Sequence, residues 1–383
     1  MEMPSEYIGR EHTWLKHRVL QLYLDAWAHK LGSVGRKRSV RLWYVDCFAG
    51  PWHAQNEGLH DTSIHIGLEA LKSAAATWAK HGAAITLGAV FVEKEPDAFG
   101  ELERFVSERS GEVEVHPLHG SFGDHVGTIQ RLVGSEAAFL FVDPTGWKGA
   151  AMKFIAPLVR QPRRDLLVNV MFNDMNRFKD DPRAFIRSQM RDFFALVDSD
   201  ISAGLSEDEL MALYRDRLKE VCHLQFAADL SVPHPIHERT KFRLVVGGHH
   251  PEVIRLFRDV EKRAVGVEAS AVRTEARERQ RLARTRQPSL FVPAAPEEDT
   301  VYARLHHAGL EEAEAFLSKV LGDTRAISYA SLWPRVLQAC HISEADLNEK
   351  LWQLKERGEI AILNLGRARS LKDDHVIRLA RRG

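Results

Sequence analysis

Acidic residues stand where three of the predicted strands end. They are Asp46, Glu93 and Asp143. A parallel strand that is covered on both faces is apolar throughout, and ligands in such sheets lie at the carboxyl ends of the strands. We therefore expect the three carboxylates to gather at one edge of a sheet, where they can accept hydrogen bonds from an amine or from ribose hydroxyl groups. The alternative for any one of them is a helix cap or a solvated turn.

The turn after the first strand distinguishes two kinds of cofactor. It reads Phe48-Ala49-Gly50-Pro51-Trp52, which is not the GxGxxG of a dinucleotide site, and the proline and tryptophan would obstruct a diphosphate. Glu93 suits vicinal ribose hydroxyls in NAD and in S-adenosylmethionine alike. S-adenosylmethionine has no diphosphate, and its ammonium group needs an acceptor such as Asp46. The sequence therefore predicts S-adenosylmethionine as the cofactor, bound by Asp46, Phe48, Ala49, Gly50, Glu93, Gly120 and Ser121.

The segment Asp143-Pro144-Thr145-Gly146-Trp147 follows the fourth predicted strand. It resembles the Asp-Pro-Pro-Tyr signature of amino-methyltransferases, in which a carboxylate and a backbone carbonyl hold an exocyclic amine while the aromatic ring stacks on the base. Here a threonine replaces the second proline, and the aromatic residue comes one position late. The resemblance implies that Asp143, Pro144 and Trp147 bind the acceptor amine. A plain Asp-Pro turn remains the alternative.

Strands and helices alternate regularly before residue 172. After a first helix at 11–31, strands are predicted at 42–48, 85–93, 113–118, 137–143 and 165–172, separated by helices at 61–79, 97–108, 125–133 and 150–160. This alternation indicates a parallel sheet. A helical insert (176–222) precedes two strands, 224–232 and 242–248, that can pair as a hairpin, whereas a dehydrogenase would continue with parallel strands. The pattern predicts an α/β, Rossmann-like class I methyltransferase sheet over residues 1–264.

The rest of the chain changes in character. Residues 265–300 form an arginine-rich connector and linker, and residues 301–383 predict a winged helix: three helices (310–321, 329–339 and one started by a capping box at Ser343) and two strands (359–365 and 369–373). Arginines along a helix and a basic wing suit phosphate contacts. Nucleic acid is thus a predicted partner, contacted by Arg277, Arg281, Arg284, Arg367, Arg369 and Lys372. The mixed charge of the predicted recognition helix leaves protein contacts open.

Composition narrows the classes of protein further. The 383 residues include 53 Lys+Arg and 53 Asp+Glu, so the net charge by itself indicates neither nucleic acid nor membrane. Three separated cysteines without a CxxC pair predict neither a disulfide framework nor structural zinc, and favour the cytoplasm. No apolar run approaches ~18 residues, so no membrane span is expected. We expect the histidines around the terminal hairpin to serve in turns and not as metal ligands: His234, His237, His249 and His250.

Several of these segments together resemble the three-Cys-motif partner proteins, a prokaryotic family with a methyltransferase-like fold. The resemblance covers residues 10–262 and is carried by 16–24, 45–50, 91–93 and 141–146. The chain departs from the family pattern at Pro51-Trp52, Asp61-Thr62-Ser63 and Ser121. The family name implies a partner with a three-cysteine motif that resembles radical S-adenosylmethionine proteins.

Three functions stay open at this point. The preferred one is methyl transfer to nucleic acid or a nucleotide; the others are a non-catalytic adaptor of the three-cysteine protein and a winged-helix DNA-binding regulator. Four polar residues after the fifth strand either contact the substrate or are ordinary polar residues of a loop. They are Asn173, Asp174, Asn176 and Arg177.

Overall fold

The apolar runs in the first two thirds of the chain form one sheet. The computed structural model of the protein describes residues 3–50, 61–108, 111–147, 149–171, 181, 183–196, 201, 204–287, 295–367 and 370–380. Within these residues the strands of the sheet are β1 (Val40–Asp46), β2 (Ile85–Glu93), β3 (Glu114–His119), β4 (Ala137–Val142), β5 (Arg164–Val170), β6 (Phe226–Pro233) and β7 (Thr240–Gly248).

The strand order is β3-β2-β1-β4-β5-β7-β6. Strands β1 to β5 are parallel to one another, and β7 is antiparallel to both β5 and β6. The predicted parallel sheet with a terminal antiparallel hairpin is confirmed.

Helices cover both faces of this sheet, because each central strand is apolar on both sides. On β1, Leu42 and Tyr44 belong to one buried cluster, whereas Trp43 and Val45 belong to the other. The first face carries α1 (Glu11–Gly32), α2 (Ser63–Ala79), α3 (Pro96–Ser107) and α8 (Glu252–Val260). The second face carries α4 (Phe122–Val133), α5 (Met152–Val159), α6 (Ala184–Phe194) and α7 (Glu207–Cys222).

The helical insert predicted at 176–222 contributes to the core of the domain. Its helices α6 and α7 pack with α5 and complete the second layer over the sheet. They pack there because they carry large apolar side chains. Phe193, Phe194 and Tyr214 are buried together, and the Phe193 and Tyr214 rings are stacked with their centroids 5.1 Å apart. The two helices therefore belong to the core of the α/β domain.

One long helical rod runs from α8 into the arginine-rich connector. It continues through a π-helical segment (Glu261–Glu268) into α9 (Ala269–Thr285). The rod begins just after β7 ends, and because β7 is antiparallel, that point lies at the amino edge of the parallel strands. The rod therefore crosses the sheet toward the carboxyl edge.

The C-terminal unit combines helices with a small antiparallel sheet. Its elements are α10 (Thr300–Thr324), β8 (Ala326–Ser328), α11 (Tyr329–Ala339), α12 (Glu344–Glu356), β9 (Ile360–Leu363) and β10 (Val376–Leu379), with strand order β8-β10-β9. The predicted capping box at the start of α12 is present. α10 starts ten residues earlier than predicted, where the Asp299 side chain accepts a hydrogen bond from the Val301 N–H at 2.9 Å.

The prediction of the last strand at 369–373 was wrong. That stretch is polar, and its described part leads into a turn in which the His375 N–H donates to the Lys372 carbonyl at 3.0 Å. The strand lies further along, where the side chain of Ile377 is completely buried and fixes the register against β9. β8, which the sequence analysis missed, is only three residues long.

The C-terminal unit and the α/β domain share one buried core. Arg258 of α8 is 2% exposed and donates to the Leu337 carbonyl at 2.8 Å, while the Gln338 side chain accepts from the Ala227 N–H at 3.1 Å. Gly266 of the π-helical segment lies against Tyr302. A Cβ atom added to Gly266 would lie only 2.8 Å from the tyrosine ring. Polar and apolar contacts thus fix the unit to the rod and to β6.

Among the helices in the described part of the chain, none is long and apolar enough to cross a membrane.

Candidate cofactor and acceptor site

The strand register brings the three predicted acids to one edge of the sheet. Asp46 on β1 lies opposite Phe91 of β2 and Phe141 of β4. Glu93 and Asp143 each come two residues later on adjacent strands, so both extend beyond Asp46 at the carboxyl edge.

Asp46 is completely buried and surrounded by donors from its own chain. Its carboxylate accepts hydrogen bonds from the Ser63 hydroxyl at 2.6 Å, from the Phe48 N–H at 3.1 Å and, more weakly, from the Tyr44 hydroxyl at 3.4 Å. Burial raises the pKa of Asp46 from 3.8 to about 6, although these hydrogen bonds act in the opposite direction. None of the three donors is charged, so the Asp46 carboxylate has no counter-ion among them.

The segment that departs from the family pattern, Asp61-Thr62-Ser63, has a local role for each residue. Asp61 pairs with Arg10 at 2.6 Å, the Thr62 hydroxyl caps α2, and Ser63 binds Asp46. This segment therefore fixes the start of α2 beside the end of β1.

Glu93 and the β3 turn form the neighbouring part of the edge. Glu93 is buried, accepts from the Glu95 N–H at 2.6 Å, and has a pKa that burial raises. Its backbone carbonyl accepts from the Gly120 N–H at 2.9 Å, which holds the two turns together. Gly120 has φ +135°, and the Ser121 hydroxyl donates to Asp124 at 2.6 Å at the start of α4. The structure thus brings Glu93, Gly120 and Ser121 together.

The turn after β1 lies against the end of β2 and the start of α4. Ala49 donates to the Val92 carbonyl at 2.8 Å, and the Phe48 ring lies 5.7 Å from that of Phe122. Gly50 has φ +78°, and among the described residues an added Cβ atom would meet nothing nearer than a carbonyl oxygen at 3.9 Å. Pro51 and Trp52 lie outside the described residues, as do the candidate substrate residues at 173, 174, 176 and 177.

Asp143 is held by two side chains that the sequence analysis did not assign to the site. The ammonium group of Lys16 on α1 pairs with one carboxylate oxygen, and the Asn169 amide on β5 donates to the other at 2.6 Å. Asn169 interrupts the apolar run of β5 near its carboxyl end, which was the one available signal for it. Lys16 gave no such signal, because a lysine on an amphipathic helix is normally solvated.

The other predicted acceptor residues lie in the same loop after β4. Pro144 is buried, and Trp147 packs on the apolar cluster of the second sheet face. Gly146 has φ +94° and Gly149 has φ +83°, which lets the loop turn sharply around the tryptophan. The stacking role of Trp147 stays a prediction.

The tip of the β6–β7 hairpin is the outer boundary of this edge. Arg243 of β7 pairs with Val170, the last residue of β5, so the hairpin turn before Thr240 extends past the carboxyl end of the sheet. Histidines at both ends of the hairpin have the turn roles that were expected. At the tip, His234 Nδ1 accepts from the Ile236 N–H at 3.1 Å, and after β7, His250 Nδ1 accepts from the Glu252 N–H at 3.2 Å.

The arginine-rich helix α9 packs against this hairpin tip. Arg273 donates to the His234 carbonyl at 2.9 Å, and Arg277 donates to the Ile236 carbonyl at 3.3 Å and pairs with Glu238. Further along, Arg279 pairs at 2.7 Å with Glu11 at the start of α1. The helix is therefore fixed beside the edge that holds the acids.

The predicted nucleic-acid contacts fall on two separate elements. Arg281 pairs with Glu278 at 2.6 Å near the free end of α9, where Arg284 is exposed. Arg367 and Lys372 are exposed in the β9–β10 connection of the C-terminal unit, and Arg369 lies outside the described residues. Arg277 is also paired, since Glu238 balances its charge.

No cluster of three or more potential metal ligands occurs in the described ranges. The three cysteines are buried and unpaired with one another, and Cys47 packs in the apolar cluster of the second face.

Comparisons with known proteins give distant structural likenesses. No family model matches the sequence, and no curated protein matches it. A methyltransferase candidate from Porphyromonas gingivalis W83 is similar over 58% of this chain and 40% of its own length, with 13% identity and a TM-score of 0.26. A loganic acid methyltransferase with S-adenosylhomocysteine is similar over 74% of this chain and 92% of its own, with 10% identity and a TM-score of 0.28.

A third solved structure, an S-adenosylhomocysteine-bound methyltransferase from Podospora anserina, covers 65% of this chain and 98% of its own length, with 10% identity and a TM-score of 0.27. Because these TM-scores are low, the fold is assigned from the order and direction of the strands. The mostly parallel seven-stranded sheet, with one antiparallel strand inserted beside the last, is a Rossmann-like methyltransferase fold.

Proposed function

We propose that this protein is an S-adenosylmethionine-dependent methyltransferase that acts on nucleic acid. The observation that carries the proposal is the position of α9: Arg277 and Arg279 fix it beside the edge that gathers Asp46, Glu93 and Asp143, and its free end bears further arginines. A phosphate-binding helix next to a cofactor edge suits a reaction in which a nucleic acid presents a base to the cofactor.

The residues at the carboxyl edge fit this cofactor. S-adenosylmethionine supplies a methyl group that its sulfonium already activates. The described donors to Asp46 are uncharged, so its carboxylate would bind the methionine ammonium, while Glu93 on the adjacent strand would accept from the ribose hydroxyls. No described side chain fills the space beside Gly50, so the backbone there would approach the ligand closely.

The chain's contribution to such a reaction is positioning. Asp143 and the Pro144 carbonyl would orient an acceptor amine, and Trp147 would stack on the base. Because in-line transfer from a sulfonium needs neither a nucleophilic residue nor a metal, correct orientation can supply most of the acceleration.

The free end of α9 is the proposed phosphate contact. Beyond Arg277 the helix continues for eight residues, about 12 Å at the rise of an α-helix. Leu282 in this stretch is 43% exposed, which shows that the helix stands clear of the core. Arg281 and Arg284 lie on it and would neutralise phosphates of a strand entering the site.

We propose a winged helix for the C-terminal unit, from its order of helix, strand, two helices and two strands. The first turn of α12, its recognition helix, is engaged within the molecule: Glu344 pairs with Arg255 at 2.7 Å and Asp346 with Lys262 at 3.2 Å. This engagement disfavours a regulator that reads DNA with α12. Arg367 and Lys372 would contribute phosphate contacts from the wing instead.

Charge reversal on α9 tests the nucleic-acid part of the proposal. The variant Arg281→Glu/Arg284→Glu should weaken binding of a short fluorescent oligonucleotide, and the slope of log K against log salt should fall by about 2. The matched control is Lys37→Glu/Arg38→Glu, an equal change of charge on exposed residues just before β1, at the opposite edge of the sheet. Equal losses in both variants would contradict a specific role for α9.

One observation favours a second candidate, a non-catalytic adaptor. Asp143 is already paired with Lys16, and Asp46 is fully buried. Such a protein would keep the fold without using the cofactor and would serve a partner with a three-cysteine motif. Calorimetric titration separates the two: saturable heat with S-adenosylmethionine supports the methyltransferase, and no heat at near-millimolar ligand supports the adaptor.

A further inference from the structure

Asn169 has a buried carbonyl oxygen that lacks a hydrogen-bond partner among the described residues. The residue is 1% exposed and lies one position before the end of β5, at the carboxyl edge. Leaving a buried acceptor unpaired is unfavourable, so such a group calls for a partner that the described residues do not supply.

The orientation of this amide is fixed by its neighbours. Asn169 Nδ2 donates to Asp143 at 2.6 Å and lies 3.7 Å from the Met171 sulfur. Rotating the amide by half a turn would place its carbonyl oxygen against the Asp143 carboxylate, and two acceptors would face each other. The unpaired atom is therefore the oxygen, and the missing partner is a hydrogen-bond donor.

Lys16 adds a donor to the same cluster. Its ammonium pairs with the Asp143 oxygen that Asn169 does not use. An ammonium group has three N–H donors, so the pairing leaves capacity for a further acceptor. The cluster thus sets a cationic donor, Lys16, beside two acceptors, Asp143 and Asn169 Oδ1.

We propose that Asn169 and Lys16 select a base with an exocyclic amine, adenine or cytosine, over a keto base. This inference rests on the proposed function, because it takes Asp143 as the acceptor site. In adenine and cytosine an amino group lies next to an unprotonated ring nitrogen. The amino group matches Asn169 Oδ1 and Asp143, and the ring nitrogen matches Lys16.

A keto base presents the reverse pattern. Its carbonyl oxygen would face the Asn169 oxygen and the Asp143 carboxylate, and its ring N–H would face the Lys16 ammonium. Sites built to hydrogen-bond one pattern reject the analogue that leaves their buried groups unpaired. We expect a preference of at least about tenfold for the amino base, from the cost of one unpaired buried acceptor.

The test uses the full chain with S-adenosylhomocysteine and short fluorescent oligothymidylate strands carrying one central base: adenine, cytosine, hypoxanthine or uracil. The strands have the same charge, so phosphate contacts contribute equally to each. The wild type should prefer adenine or cytosine, and Asn169→Leu, which keeps the shape but removes the acceptor, should abolish that preference. A parallel RNA series gives the same comparison for ribonucleotides.

Met171→Leu is the matched control, because it alters the other neighbour of the Asn169 amide without removing the acceptor. It should keep the preference, and melting temperatures should show that both variants fold. A wild type that binds all four strands alike overturns the inference, as does an Asn169→Leu variant that retains the preference, which is the result expected if the oxygen only binds a water molecule. In either case the proposed function stands, and this inference alone fails, if S-adenosylmethionine gives saturable heat and charge reversal on α9 weakens oligonucleotide binding. If the protein binds none of the strands, both the proposed function and this inference fail.

Discussion

At the scale of single residues, the buried Asp46 and the partly buried Asp143 differ in how their charge is balanced. Among the described residues, the donors to Asp46 are all neutral, whereas Asp143 has the Lys16 ammonium. A buried carboxylate without a counter-ion is stabilised by an incoming cation, so Asp46 is the better acceptor for a ligand ammonium. Asp143 is better suited to orient a neutral amine.

The pKa of Asp46 predicts how cofactor affinity changes with pH. Because that pKa is raised to about 6, the free protein holds a proton on Asp46 at pH 5, and an ammonium ligand must displace it. Affinity for S-adenosylmethionine should therefore rise by about tenfold from pH 5 to pH 7. Calorimetry at both values measures this change. The Asp46→Asn variant should bind weakly at both, and a wild-type affinity that is constant with pH would argue against the assigned role.

Asp165 gives a prediction about stability. Desolvation raises the pKa of its carboxyl group from 3.8 to about 7, while the Tyr23 hydroxyl donates to it at 3.1 Å. The folded state retains a proton that the unfolded state loses, so stability falls as pH rises from about 4 to about 7. Asp165→Asn keeps an acceptor for Tyr23 and should raise the melting temperature at pH 8 but not at pH 4. An equal change in melting temperature at both pH values would show that the raised pKa of Asp165 is not the cause.

At the scale of elements, the sequence predicted what depends on local pattern. Strands β1 to β5 and their helices follow apolar runs and capping residues, so their positions were predictable, and the acids at the strand ends followed from the parallel direction. Lys16 and Asn169 were missed because their role depends on contacts with residues that are 127 and 26 positions away. The strand at 376–379 was missed because only its packing, through Ile377, distinguishes it from the polar turn before it.

The arginines of α9 also show that tertiary contacts cannot be predicted from local pattern. Two of them have the same residue type on the same helix but different surroundings. Arg273 is 1% exposed and pairs with the buried Asp299, whereas Arg284 is exposed. Removing one partner of a buried pair leaves the other charge uncompensated, so Arg273→Ala should lower the free energy of unfolding by about 3–5 kcal/mol. Arg284→Ala should change it by less than about 0.5 kcal/mol. Urea unfolding measures both, and similar values for the two would contradict the assigned packing.

At the scale of the whole molecule, the C-terminal unit is part of the same folded body as the α/β domain. The apolar core runs through both, and buried contacts of Arg258 with Glu261 at 2.6 Å and of Glu261 with His341 at 2.7 Å lie between them. The rod therefore links the cofactor edge, the arginine-bearing end of α9 and the C-terminal unit into one arrangement.

This shared core predicts cooperative unfolding. Differential scanning calorimetry of the full chain should show one transition, because unfolding the C-terminal unit would expose apolar surface and the buried Arg258–Glu261 pair. The variant Arg255→Ala/Lys262→Ala, which removes the outer ion pairs to α12, should lower the temperature of that single transition without splitting it. Two well-separated transitions in the wild type would mean that the unit folds independently.

In the proposed function, one sheet edge binds an adenosyl sulfonium between Asp46 and Glu93. A crystal structure of the protein with S-adenosylmethionine and a short oligonucleotide tests it most directly. We expect the methionine ammonium within hydrogen-bonding distance of Asp46, the ribose hydroxyls on Glu93 and the methyl group directed toward Asp143. A cofactor bound elsewhere, or an edge that stays without cofactor at saturating concentration, would contradict the account.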